Sequence, residues 1–141
     1  MAADPFDLQR FVTAQDTVWA DVLAELRAGL KQSHWMWFVF PQLATLGRSS
    51  MARRYGLSGV DEARAYLMHP VLGPRLLECC QLLLHLRQHD AVAIFGETDA
   101  MKLRSCLTLF AEAAQDNEVF SDALRQYFGG TPDPLTTAAL R

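Results

Sequence analysis

The 141 residues amount to one domain, 1–141, and are too few for two comfortable hydrophobic cores. Half of them are hydrophobic and 21% are charged, the balance of a packed globular domain, which excludes a disordered chain. A formal charge of −3 excludes a generic nucleic-acid binder or a polybasic membrane anchor.

The first residues, Met1-Ala2-Ala3-Asp4-Pro5, lack the basic start and apolar core of a targeting signal. The longest apolar run, Trp35 to Phe40, is cut off by Pro41 and is far too short to cross a bilayer, so no membrane contact is expected. Three cysteines are an odd number. Cys79 and Cys80 are neighbours that point about 100° apart on a helix, which suits neither a disulfide nor a metal clamp. They read, with Cys106, as small apolar residues of a reducing cytoplasm.

Taken in chain order, helix punctuation is dense. Asp4-Pro5 is a capping residue followed by proline, and it predicts a short helix to about Ala14. Asp16 is placed to cap a second helix, to about Ala28, with Gly29 to end it. Val18, Val22, Leu26 and Leu30 form its apolar stripe. Trp35 to Phe40 reads as a helical or irregular wall of the core. Leu46 to Gly59 reads as an extended loop around a short helical piece. Segment 61–68 is a short helix stopped at His69-Pro70, and 74–88 is a long one whose apolar arc of about 220° predicts burial on most sides. Asp90 to Phe95 is one or two turns closed by Gly96. Thr98 is placed to cap a helix to about Ala114. Another runs from about Asn117 to Phe128, ended by Gly129-Gly130, and Asp133-Pro134 opens the last. No pair of β-branched runs flanks a tight turn. The expected fold is all-α, a compact single-domain bundle of about six to eight helices around a central apolar helix near 74–88.

The clearest sign of function is charge segregation. Between Glu25 and Asp61 there is no acidic residue, yet the interval holds Arg27, Lys31, Arg48, Arg53 and Arg54. Gly47-Arg48-Ser49-Ser50 lies inside it, and its small residues, hydroxyls and guanidinium suit phosphate or carboxylate. It has neither the P-loop nor the dinucleotide-binding spacing. Arg75 stands in the first turn of the 74–88 helix, against the positive end of the helix dipole, so an anion must answer it. That anion is either a carboxylate of another helix or part of a ligand.

His34 and His69, at helix boundaries, are the acid–base candidates. Trp35 and Trp37, just after His34, offer an apolar wall, with Trp37 expected to carry the greater core burial. His85 and His89 share a helix face, but no further ligands have zinc spacing, so no metal or other cofactor is expected. On the helix from Thr98, Lys102, Arg104, Ser105, Thr108 and Glu112 share one polar face, which reads as a solvent face. No nucleophile elbow exists around Ser105.

The segments Gln32-Ser33-His34-Trp35-Met36-Trp37-Phe38-Val39-Phe40-Pro41-Gln42 and His69-Pro70-Val71-Leu72-Gly73-Pro74-Arg75-Leu76 closely resemble the signature of the domain-of-unknown-function family 1810. So do Ile94-Phe95-Gly96, Asp99, Lys102-Leu103, Ser105, Thr108-Leu109-Phe110 and Phe128-Gly129-Gly130. The resemblance runs from about Phe6 to Leu140. It implies a compact all-helical domain and assigns no activity, substrate or cofactor. Its motifs include His34, Gln42, His69, Arg75, Asp99, Lys102 and Ser105.

Two functions compete. The first is a small-molecule site for an anionic or nucleotide-like metabolite, lined by Trp35, Trp37, Gln42, Arg48, Ser50, Arg75, Asp99, Lys102 and Ser105. The second is a non-catalytic helical module whose basic and aromatic residues face an acidic protein partner. Nucleic acid fits the charge balance least.

Overall fold

Local backbone chemistry decides where each helix begins and ends in the computed structural model, which describes residues 3–140. Met1 and Ala2, the start of the stretch read above for a targeting signal, lie outside the described residues, as does Arg141. Ten α-helices and no β-strand are found among the described residues. Six have eight residues or more: α1 (Gln9–Asp16), α2 (Trp19–Ala28), α5 (Val60–Met68), α6 (Leu72–His85), α8 (Glu97–Ala113) and α9 (Glu118–Phe128). The four short ones are α3 (Met36–Val39), α4 (Ser50–Tyr55), α7 (Ala91–Phe95) and α10 (Pro134–Ala139).

Several ends fall where the sequence places them. Gly29 and Gly129 adopt left-handed φ of 71° and 63°, and each lets the following N–H reach back to a carbonyl of the last turn. Asp90 and Asp133 cap α7 and α10 through their carboxylates. Four starts differ. Asp4 does accept two backbone N–H groups, but those of Leu8 and Gln9, at 2.7 and 3.0 Å. Asp7 then turns the chain at φ 52°, so α1 opens at Gln9 and not at Pro5. Asp16 is the last residue of α1 and leaves α2 without a side-chain cap. Thr98 lies inside the first turn of α8, which Gly96 precedes at φ 82°. In α6 the helix begins two residues earlier than expected. Pro74 is harmless there, because a first-turn N–H has no helical acceptor to lose.

The core is shared between two helices. α8 packs against α5, α7, α9 and α10, and α6 against α2, α5 and α9. Gly73 lets α6 cross α5 closely, since a Cβ there would lie 2.1 Å from the Leu67 carbonyl oxygen. A file of rings, Phe11, Tyr66, Phe110 and Phe120, runs through the interior with centroids 5.2–5.8 Å apart. Cys79, Cys80 and Cys106 are free and buried beside it. Burial pushes the Cys80 thiol up to about 12 and the other two well above the usual thiol range. No helix among the described residues is long and apolar enough to cross a membrane.

Between α3 and α5 the chain makes an excursion. It leaves the bundle at Gln42, passes through a 3₁₀ turn at Ala44–Leu46 and then α4, and returns at Leu57. Its ends are pinned together by a single parallel bridge. Ala44 N–H donates to Leu57 O and Leu57 N–H to Gln42 O, both at 2.9 Å.

Candidate functional site

The excursion faces one side of α8, and a groove of about 330 Å³ lies between them. Thr98, Met101, Lys102 and Ser105 supply the α8 wall, the i, i+3, i+4 spacing of one helix face. Trp37, Gln42, Gly47 and Arg48 supply the opposite wall, and Asp133 and Leu135 close one end.

Each wall is tied down from behind. Arg10 donates to the carbonyls of Arg54 (2.8 Å) and Gly56 (3.2 Å) and to the Glu62 carboxylate (3.0 Å). The other Glu62 oxygen accepts the N–H and hydroxyl of Ser58, both at 2.9 Å. Gly47 permits the turn over α4, because a Cβ there would lie 2.3 Å from that of Ala52. At the far end Arg104 holds the carbonyls of Thr131 and Pro132, both at 3.0 Å. Thr108 Oγ accepts the Asp133 N–H at 2.9 Å. These bonds lay residues 131–136 over α8, so the face expected to be solvated is covered at Ser105 and Thr108, which are buried, while Glu112 stays exposed.

The electrostatics start from Glu25. Burial pushes its carboxyl up. Donors from the Ser33 hydroxyl, the Gln32 and Ser33 N–H groups and Trp35 Nε1 more than offset this and hold it at about 2. The same knot fixes the segment that carries Lys31. Lys31 Nζ donates to Ser33 O at 2.6 Å and pairs with Asp99 at 2.8 Å. Asp99 also approaches Lys102, at 3.5 Å. One carboxylate thus stands between two ammonium groups, and the trio keeps one net positive charge. Lys102 holds that charge 4.8 Å from the Trp37 ring, at the groove wall. Arg48, exposed on the opposite wall, makes no ion pair among the described residues.

The structure therefore brings Trp37, Gln42, Arg48, Lys102 and Ser105 together. The other candidates stand elsewhere. Trp35 is fully buried against Phe40 and the Glu25 knot, while Trp37 is half-buried at the groove, the reverse of the expected assignment. Asp99 sits behind Lys102. Ser50 is exposed as the first residue of α4, and its neighbour Ser49 lines the groove instead. His34 is exposed outside it. His69 is spent on the backbone, its Nδ1 accepting the Val71 and Leu72 N–H groups at 3.1 and 3.3 Å where α6 begins. Arg75 does not join the groove. Its guanidinium pairs with Asp16 at 2.9 Å, donates to Gln15 Oε1 at 3.3 Å and stacks on Trp19 at 4.8 Å. The anion that answers it belongs to the protein.

Met101, Asp133 and Leu135 were not legible as site residues. The bare exposure of Met101 and Leu135, 70% and 67%, is the signal that marks them in the fold. A larger depression, of about 530 Å³, lies by Arg64, Met68 and Gln115. It gathers none of the candidate residues. Among the described residues no three of His, Cys, Asp and Glu come together as a metal-ion set.

A family model described as "Protein of unknown function (DUF1810)" matches residues 5–140. The crystal structure of the conserved hypothetical protein Rv1873 from Mycobacterium tuberculosis is similar, at 52% identity with a TM-score of 0.96. The match covers 97% of this chain and 98% of that one. No curated protein matches the chain.

Proposed function

The chain belongs to the DUF1810 family of proteins of unknown function, and from that premise we propose that the groove over Lys102 binds an anionic small molecule. The observation that carries the reading is the Lys31–Asp99–Lys102 trio, which leaves one positive charge at the groove wall. Arg48 adds a second cation across from it, and both retain free donors for an oxyanion. The volume lies within the range of small-molecule sites. The reading is one of binding, and the acid–base candidates His34 and His69 take no part in it, since both stand outside the groove. Three free, buried thiols accord with a reducing, cytoplasmic setting.

Thermal denaturation against a panel of phosphate, carboxylate and sugar-phosphate ligands tests this. A ligand at 100-fold its dissociation constant stabilises by about 2.7 kcal/mol. At roughly 3–4 °C per kcal/mol for a chain of this length, Tm rises by about 8–11 °C. Lys102→Met and Arg48→Ala should each shrink that rise, and added salt should weaken the binding. A flat response across the panel removes the reading.

The exposed side chains of Met101 and Leu135 at the rim favour one other occupant, an acidic segment of a protein partner. Such a partner would be displaced by charge reversal at Lys102 and also by Leu135→Ser, whereas a small anion depends on the charges far more than on Leu135.

A further inference from the structure

The groove carries more than charge, and its remaining polar groups restrict what is attached to the anion. Resting on the anion reading above, we infer that the ligand is a nucleoside monophosphate, with a purine base the best fit.

Length is the first constraint. Lys102 and Thr108 stand six residues apart on α8, roughly 9 Å at 1.5 Å per residue. Asp133 is anchored at Thr108 and lines the groove beyond Ser105. An inorganic phosphate or a short carboxylate on Lys102 leaves that end unfilled. Next comes the opposite sign of the two ends. One Asp133 oxygen accepts the Thr136 N–H and hydroxyl, at 2.9 and 2.6 Å, and the other accepts no hydrogen bond among the described residues. It would repel a second anionic group and accept a hydroxyl or amino group. A ligand that fills the groove is therefore an anion at one end and a hydrogen-bond donor at the other.

The wall beside the anion end is flat. Because Lys102 holds its ammonium against the Trp37 ring, an anion bound there brings whatever it carries alongside the indole. Leu46 and Met101 extend the apolar surface. Gln42, half-buried in the same wall, has a side-chain amide with no hydrogen bond among the described residues. A carboxamide offers one donor and one acceptor side by side, and this pair matches the N6/N7 edge of adenine. Phosphate, sugar hydroxyls and a stacking base meet these three demands in one molecule. An indole accepts any base face, so Gln42 is the residue that selects among bases.

The test titrates the full chain with adenosine monophosphate, cytidine monophosphate, ribose 5-phosphate and inorganic phosphate, by calorimetry and by thermal shift. The purine nucleotide should bind roughly 10–100-fold more tightly than ribose 5-phosphate, the gain typical of one stacked base. Trp37→Leu should remove that gain, so that the purine nucleotide and ribose 5-phosphate bind to the variant with similar affinity. Gln42→Leu, whose side chain supports nothing in the fold, should erase the preference for adenine over cytosine. Equal affinity for adenosine monophosphate and ribose 5-phosphate overturns the nucleotide inference and leaves the anion reading standing. A preference for the pyrimidine overturns the purine assignment. No response to any of the four overturns the nucleotide inference together with the phosphate form of the anion reading.

Discussion

Arg75 and Asp16, 59 residues apart in the chain, meet at 2.9 Å between α6 and the end of α1. The contact answers a cation held against the positive end of a helix dipole, and it draws in Gln15, whose own amide donates to Phe38 O and Tyr66 Oη. Arg75→Ala should therefore cost about 1–3 kcal/mol, most of it from an unpaired oxygen on a buried glutamine. Asp16→Asn should cost less, because that carboxylate is largely exposed. Neither change should alter anion binding at Lys102. Urea denaturation and ligand titration of the two variants check both halves.

The two tryptophans should separate in the same way. Trp35→Ala empties a fully buried site and releases a donor from Glu25, so a loss of about 3–5 kcal/mol is expected. Trp37→Ala should cost less than half as much while abolishing the extra thermal shift that the nucleotide gives over ribose 5-phosphate. Equal destabilisation by the two would show that Trp37 belongs to the core.

Glu25 makes stability depend on acid. Its carboxyl is held at about 2 in the folded chain, below its ordinary 4.5, so the contribution is complete above about pH 4.5 and fades as the pH falls towards 2. Allowing for its partial exposure, roughly 1–2 kcal/mol is lost across that window. Glu25→Gln should flatten the acid limb of a stability–pH curve. An unchanged limb would place the acid sensitivity elsewhere.

The three thiols should ignore a polar alkylating reagent in the native state and react together on unfolding. Burial raises all three pKa values, so thiolate is scarce even at pH 8, and access requires opening of α6 or α8. Labelling should slow in step with any ligand-induced gain in stability. Mass spectrometry of timed samples measures it, and rapid native labelling of Cys79 would refute the α6 packing.

What could be read from the chain follows the range of the forces involved. Gly29 and Gly129 end helices through their own backbone freedom, and Asp90 and Asp133 cap through bonds two or three residues long, so adjacent residues reveal them. Asp16 has the same composition-level credentials as a cap, but its carboxylate is claimed by Arg75 from another helix. The site divides likewise. Polarity marked out Trp37, Gln42, Arg48, Lys102 and Ser105, which do converge. It also marked out Arg75 and His69, whose partners lie in the protein itself. Asp133 and Leu135 escaped notice because α10 reaches the groove only through Arg104 and Thr108 on a distant helix.

The pinch at Leu43 and Leu57 has a consequence for how this protein can change. A segment that departs from and returns to one point can be exchanged as a cassette. Its anchors Leu43, Tyr55 and Leu57 are buried and Leu46 packs against the core, while Thr45 and Arg48 to Ser50 are exposed, with Ser49 bonded only within the excursion, where it caps α4. Transplanting the 45–50 stretch from a homologue that keeps Leu46 and Gly47 should retune how tightly the anion is held, through position 48, and leave the melting temperature of the empty protein nearly constant. Divergence in anion affinity within such a lineage would then concentrate in a handful of consecutive codons, with base preference staying with Gln42 in the chassis.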